Sequence, residues 1–276
     1  MTEKISVYGS TGFIGGTFCR MFPDDIIRIP REKLESQSKN VLYFISTTTN
    51  QNVFKDLNVD IDTNLSLFVD FLNECKGKDV TINFISSCFV YGNDVIDAKE
   101  TDCCNPTGFY SITKRCAEQL LISFCKTFDI NYRILRIGNV YGLDKTISPG
   151  KNVLGYMINL LKENKDITLY NGGNFLKDYI YVEDVCEAIK LILKVGNDKE
   201  ICNIGTGVSF SFSEIMNKAK DIVGSKSNIL SVEMPKDQEY IQIKNMTLNV
   251  DKIKEMGFSP KLHIMDGLQK LCNVVQ

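Results

Sequence analysis

Lys4-Ile5-Ser6-Val7-Tyr8-Gly9-Ser10-Thr11-Gly12-Phe13-Ile14-Gly15 reads as a short apolar strand, a glycine loop and the start of a helix that runs on to Met21. Each glycine has a physical reason. The first permits the tight turn, the second lets backbone approach a pyrophosphate, and the third lets the helix pack close to the strand. Glycine turns between strand and helix are common, so the motif alone is modest evidence. At the first strand of a chain it is stronger. Gly9, Thr11, Gly12, Phe13, Ile14 and Gly15 are therefore expected to hold a dinucleotide cofactor.

Outward from this stretch the pattern repeats. Apolar runs at 26–29, 41–45, 80–85 and 132–137 alternate with helical periodicities at 62–76 and 109–128. Strands alternating with helices predict an α/β fold, a Rossmann-like doubly wound parallel sheet. Ligands of such sheets sit beyond the carboxyl ends of the strands, where Gly12, Ser46, Ser87 and Asn139 fall. After Gly142 the texture changes to loop, helix and loop, and 178–195 returns to strand and helix. Ser211 with Glu214 is a capping box that starts a helix through Val223. We expect a dinucleotide-binding domain over 1–142 plus 175–203. A smaller α/β substrate domain is expected over 143–174 plus 204–276.

Tyr110 and Lys114 lie four residues apart on the 109–128 helix and so share a face. A lysine ammonium beside a phenol favours the phenolate. A free tyrosine titrates near pH ~10, and bringing it to neutral pH takes roughly 3 units, about 4 kcal/mol. The Ser87 hydroxyl, in Ser86-Ser87-Cys88-Phe89-Val90-Tyr91-Gly92, is placed to hold a reacting carbonyl or alcohol. The three motifs in this order are the parts of a hydride-transfer site. Tyr-x-x-x-Lys alone would read as a surface tyrosine on an amphipathic helix.

The whole chain sets bounds. It has 276 residues, 43% hydrophobic and 24% charged, with a formal net charge of −2. That is an ordinary globule with no electrostatic case for nucleic acid or a membrane surface. No apolar run reaches the length of a membrane span, and the Met1-Thr2-Glu3-Lys4-Ile5 start has no apolar leader, so a cytoplasmic protein is expected. Ten cysteines occur without Cys-x-x-Cys or a histidine partner, as expected of reduced thiols. The only histidine is His263, and no metal site is expected.

With these residues in view, the chain resembles the extended short-chain dehydrogenase/reductase family, in its NAD-dependent epimerase/dehydratase group acting on nucleotide sugars. Further stretches carry the likeness. Asn64 with Phe71-Leu72 is similar to the family's Asn-rich helix start. Arg136-Ile137-Gly138-Asn139-Val140-Tyr141-Gly142 is similar to Arg-x-x-Asn-Val-Tyr-Gly. Asp178-Tyr179-Ile180-Tyr181-Val182-Glu183-Asp184-Val185 and Asn203-Ile204-Gly205-Thr206-Gly207 match two later motifs, and the tail from Met256 to Pro260 with Gly267-Leu268 a third. The resemblance implies Ser87, Tyr110 and Lys114 as catalytic residues. It places Ser46, Thr47, Ser86, Tyr110, Lys114 and Val140 at the cofactor, with Ser87, Cys88, Asn139 and Lys177 at the substrate.

Departures narrow the reading. Between Ile29 and Val41 the family usually inserts a strand and a helix. Here there is room for only a short helix, so a sheet short of one strand and an open adenine side are expected. Cys88 and Phe89 stand where dehydratases carry an Asp-Glu pair, which disfavours dehydration. The lone His263 disfavours epimerisation at carbon 3 or 5, and a packed thiol is the plain reading of Cys88. Lys177 replaces an arginine, keeping charge but losing the bidentate fork. At the end of the second strand Pro30-Arg31 replaces the acid expected for NAD, which favours NADP(H) over NAD(H), unless Glu32 or Glu35 takes the acid's place. The expected activity is reduction of a nucleotide-linked 4-keto (6-deoxy) sugar. The alternatives are a 4-epimerase with tightly bound NAD, and a non-catalytic cofactor-binding scaffold. The family's usual four-helix bundle implies a homodimer through the helices carrying Leu65, Leu67, Phe68, Phe71 and Leu72 and Leu120, Leu121, Phe124 and Phe128.

Overall fold

The computed structural model describes residues 4–143 and 152–274. In chain order its first half comprises β1 (Ile5–Tyr8), α1 (Phe13–Met21), β2 (Ile26–Ile29) and β3 (Asn40–Tyr43), then α2 (Asn58–Ile61) running through a π turn (Asp62–Ser66) into α3 (Leu67–Cys75). Next come β4 (Thr81–Ser87), a 3-10 turn (Cys88–Tyr91), β5 (Val95–Ala98), α4 (Phe109–Phe128), β6 (Asn131–Ile137) and β7 (Asn139–Tyr141). The second half holds α5 (Val153–Lys162), β8 (Ile167–Tyr170), β9 (Leu176–Tyr181), α6 (Val182–Val195), β10 (Glu200–Ile204) and β11 (Ser209–Ser211). It closes with α7 (Phe212–Val223), β12 (Ile229–Val232), α8 (Lys236–Ile241), β13 (Met246–Leu248), α9 (Asp251–Glu255) and α10 (Ile264–Val274). The loop expected after Gly142 falls, over 144–151, outside the described residues.

Six strands form one parallel sheet in the order β10-β6-β4-β3-β1-β2. Their side chains alternate between two cores, as the strand period requires. Val7, Leu42, Ile85 and Leu135 face a core shared with Phe18 of α1 and Val185, Ile189 and Ile192 of α6. Val41, Ile82, Phe84 and Ile134 face Phe68, Phe71 and Leu72 of α3 and Leu121 and Cys125 of α4. A second sheet, β11-β9-β13-β5 with β7 on β9, joins the chain's two halves. Ile243, Met246, Leu248, Val250, Ile253 and Phe258 therefore pack into the first core. A third core gathers α5, α7 and α10 around Tyr141 and Tyr181.

The missing insertion has a visible consequence. Neither strand nor α-helix forms between Ile29 and Asn40, so the expected short helix is absent and β2 is the sheet edge. The connecting loop is tied inward instead. Tyr8 donates to the Leu34 carbonyl (2.7 Å), and the Gln37 amide donates to Ser6 Oγ (3.0 Å). Beneath it the rings of Tyr8, Tyr43, Phe68, Phe71 and Phe84 fill the space at centroid spacings from 4.6 Å, between Tyr43 and Phe71, to 6.3 Å, between Tyr43 and Phe84.

Candidate active site

The glycine loop closes on itself. Gly12 N–H donates to the Gly9 carbonyl at 3.1 Å, and Gly9 sits at φ +77°, where a side chain would strain the turn. A Cβ on Gly15 would lie 2.4 Å from the Gly9 oxygen, so strand and helix meet here only through glycine. No side chain caps α1 and no acid occupies its first turn. Its first amides and the positive end of its dipole are thus free for an anion. These residues fit the pyrophosphate of a dinucleotide. Arg28, at the end of β2, donates to the Ser10 carbonyl at 3.5 Å and brings a guanidinium to the loop. Arg31 is exposed. Of the two glutamates weighed for the missing acid's place, Glu35 turns elsewhere. Glu35 pairs with Lys78 at 3.9 Å, before the amino end of β4, and Glu32 lines a surface hollow with Glu35 and Glu74.

Ser87 ends β4 and Tyr110 lies in the first turn of α4, and their side chains meet. Burial pushes the Tyr110 phenol up to about 12, against hydrogen bonds with Ser87 and Ser46, while Cys88 and Asp60 add to the rise. Lys114 differs from the sequence reading. Its ammonium is 2% exposed, donates to the Ile85 carbonyl and lies 4.0 Å over the Phe84 ring. Burial lowers it to about 7, with Glu118 opposing. In the chain by itself, then, burial governs the phenol, and the expected lowering by Lys114 is not what moves it. The reason is geometric: the ammonium is committed to the β4 backbone.

Other expected residues divide. Thr47 is fixed by Asn64 of the π turn, whose Oδ1 accepts from Thr47 N–H (2.9 Å) and whose amide also donates to Thr113 of α4 (2.9 Å). Thr47 Oγ1 donates to the buried Asp60. This polar web ties the loop after β3 to the helix of Tyr110, and the π turn aims Asn64 into it. Asn139 donates to the Asp178 carbonyl at 3.4 Å, and Val140 follows it on half-buried β7. Two placements correct the sequence reading. Ser86 turns its hydroxyl into the helix layer, donating to Glu118 at 2.6 Å, so only its backbone can meet a cofactor. Cys88 is 1% exposed in the first core, and burial pushes its thiol up to about 12; it is a packed thiol. Lys177 donates to the Ile243 carbonyl at 2.8 Å and stands 5.5 Å over Phe89, its ammonium lowered by burial to about 8.

Sequence reasoning noted Phe89 at a dehydratase position but not its contact with Tyr110, and did not single out Glu118 as part of the site. Phe89 meets Tyr110 edge-on, with centroids 6.2 Å apart. Glu118 is fully buried and pairs with Arg136. Its spacing from Lys114, four residues on, was the available signal. Among the described residues no group of three or more His, Cys, Asp or Glu side chains could hold a metal. Among them, too, no helix is long and apolar enough to cross a membrane.

A dinucleotide cradle at the first turn of a parallel sheet, with a serine, a tyrosine and a lysine at its carboxyl edge, defines an oxidoreductase-type site. The chain belongs to the NAD dependent epimerase/dehydratase family, whose model matches residues 31–205. It is similar to a putative UDP-glucose 4-epimerase of Methanocaldococcus jannaschii, 28% identical over 78% of this chain and 69% of that protein. It is also similar to the dTDP-4-dehydro-6-deoxyglucose reductase of Escherichia coli, 24% identical over 86% and 75%. Several other curated relatives are matched over less than two thirds of their own length. The fold is that of the UDP-glucose 4-epimerase of Thermotoga maritima, solved with UDP-glucose, at a TM-score of 0.88 and 22% identity over 98% and 97% of the two chains.

Proposed function

We propose that this chain is an NAD(P)H-dependent reductase of a nucleotide-linked 4-keto sugar, a 6-deoxyhexose by preference. The observation that carries the reading is Phe89 edge-on to Tyr110. A phenyl ring has no proton to give, so Tyr110 alone serves the reacting carbon, which suits chemistry at one carbonyl and not dehydration. A nicotinamide cofactor held by the glycine loop Gly9–Gly15 would supply the hydride when bound. Ser87 orients the carbonyl oxygen, Tyr110 protonates it, and the Lys114 charge stabilises the phenolate left behind. Relatives of this chemistry support it, since one is a 4-dehydro-6-deoxyglucose reductase.

A second reading is a 4-epimerase, in which the same groups oxidise and re-reduce carbon 4. It draws on the epimerases among the similar proteins. One experiment separates the two: extracting the cofactor from the purified protein. Retained NAD would overturn the reductase; an empty protein that binds NADPH and reduces a nucleotide-linked 4-keto sugar supports it.

We further propose a preference for NADP(H), in which Arg28 and Arg31 receive the 2′-phosphate. Glu35, paired with Lys78 before the amino end of β4, is turned away from the ribose diol. We also propose a cytoplasmic protein, in keeping with ten free cysteines, and the division into cofactor and substrate domains given above. A homodimer through the α2–α3 segment and α4 is proposed on their exposed apolar residues, Ile61 of α2 and Val69 of α3 on one and Phe109, Ile112 and Leu120 on the other.

A further inference from the structure

We propose that Glu118 is a positioning residue of this site: it holds the end of β4 against α4 and is the buried counter-charge, one helical turn on, for Lys114. The inference rests on the reading of Ser87, Tyr110 and Lys114 given above.

The geometry is specific. Glu118 is 0% exposed and Lys114 2% exposed, four residues apart on one face of α4. Oε1 accepts from Ser86 Oγ at 2.6 Å and from Arg136 Nε at 3.0 Å; Oε2 accepts from Arg136 at 2.8 Å and from Arg115 at 2.8 Å. The carboxylate thus takes four hydrogen bonds from α4, β4 and β6. Ser86 precedes Ser87, and the Ile85 carbonyl, one residue earlier, receives the Lys114 ammonium. Glu118 therefore fixes the strand that presents both the serine and the lysine's anchor.

Electrostatics agree. Burial alone would raise the Glu118 carboxyl, yet the Arg136, Ser86 and Arg115 hydrogen bonds hold it below the usual range, so it stays charged. The groups around Lys114 are few. From β4 come the Ile85 carbonyl and the Phe84 ring, and from α4 comes Glu118, a charged group that favours its ammonium and is itself paired with Arg136 and Arg115. A buried ammonium loses its proton unless an opposite charge retains it. Glu118 is that charge. A neutral Lys114 could not stabilise the phenolate of Tyr110.

The rival account is that Glu118 exists only to neutralise Arg136. Lysine Cε chemical shifts of the full chain, titrated by NMR with and without added NADPH, separate the two, with the Lys114 signal assigned by its loss in Lys114→Met. In Glu118→Gln the Lys114 midpoint is expected to fall by about one pH unit or more. Turnover should fall near neutral pH, with the alkaline limb of its pH profile moving down the same way. Removing one partner of a buried pair threatens folding. The double variant Glu118→Gln with Arg136→Met removes both charges, and it too should show the lowered midpoint. A folded double variant in which Lys114 titrates as in the parent chain would overturn the proposal. The readout is independent of turnover. An active Tyr110→Phe would defeat the assigned function while leaving this result standing.

Discussion

Tyr110 holds its proton firmly in the chain by itself, because burial outweighs the hydroxyls of Ser87 and Ser46. It is set as a donor, which is what reduction of a carbonyl asks of it. Tyr110→Phe keeps the ring against Phe89 and removes the proton. Turnover should drop by about 10²–10⁴-fold with cofactor affinity retained; wild-type turnover in that variant would exclude the assigned role. Lys114 carries a stability signature as well. Its folded pKa, about 7, lies below the ordinary lysine value of 10.5. Between those values the unfolded chain holds more protons, so stability rises with pH through that window, and the cost of the buried charge is complete below about 7. Lys114→Met should therefore stabilise the cofactor-free protein at pH 6 by about 1–3 kcal/mol, less so towards pH 10, while abolishing activity. Denaturant midpoints across pH check this. The residue types of this site were legible in the sequence, since Tyr110, Lys114 and Ser87 follow from spacing and order. Their electrostatics were not, because desolvation depends on what α4 and β4 bury together.

The helices show where an apolar pattern misleads. Phe68 reads as one of several apolar residues on a helix with two apolar sides, and it invites use as a dimer contact. It is instead 0% exposed, 4.8 Å from the Phe84 ring, in the second core. Phe124 is half-buried against the same core. The outward positions are Val69, at 40% exposure, and Ile112 and Leu120, each at 41%. Ile112→Glu with Leu120→Glu should therefore give a folded monomer by light scattering; a dimer surviving both changes would place the interface elsewhere. Phe68→Glu should instead unfold the chain, since a charge replaces a core ring at a cost above about 3–5 kcal/mol. At α7 the sequence was sufficient. Ser211 Oγ accepts from Glu214 N–H at 3.1 Å and Glu214 accepts from Ser211 N–H at 2.7 Å, the expected capping box. Ser211→Ala should cost about 1 kcal/mol in a denaturant titration.

At the scale of the molecule, the cofactor question turns on a missing piece. With β2 at the sheet edge and the 30–39 loop tied to Tyr8 and Ser6, Arg28 of β2 stands beside the glycine loop and Arg31 follows exposed just past the strand. Arg28→Asp with Arg31→Asp should move the affinity ratio from NADPH towards NADH by about 10–100-fold, and titration calorimetry that finds NADH the tighter ligand of the unchanged protein would reject the preference. The parallel sheet, the glycine cradle and the order of serine, tyrosine and lysine were written in the sequence by itself. They rest on local rules: strand period, helix period, and the backbone freedom of glycine. The sequence did not disclose that β5 and β13 pair across 150 residues of chain, or that 243–258 completes the first core. Nor did it show that Ser86 and Cys88 turn away from the cleft while Phe89 turns toward Tyr110. Those outcomes depend on which distant surfaces meet. A side chain's exposure, and with it its charge and its chemistry, is set by neighbours that no window of sequence contains.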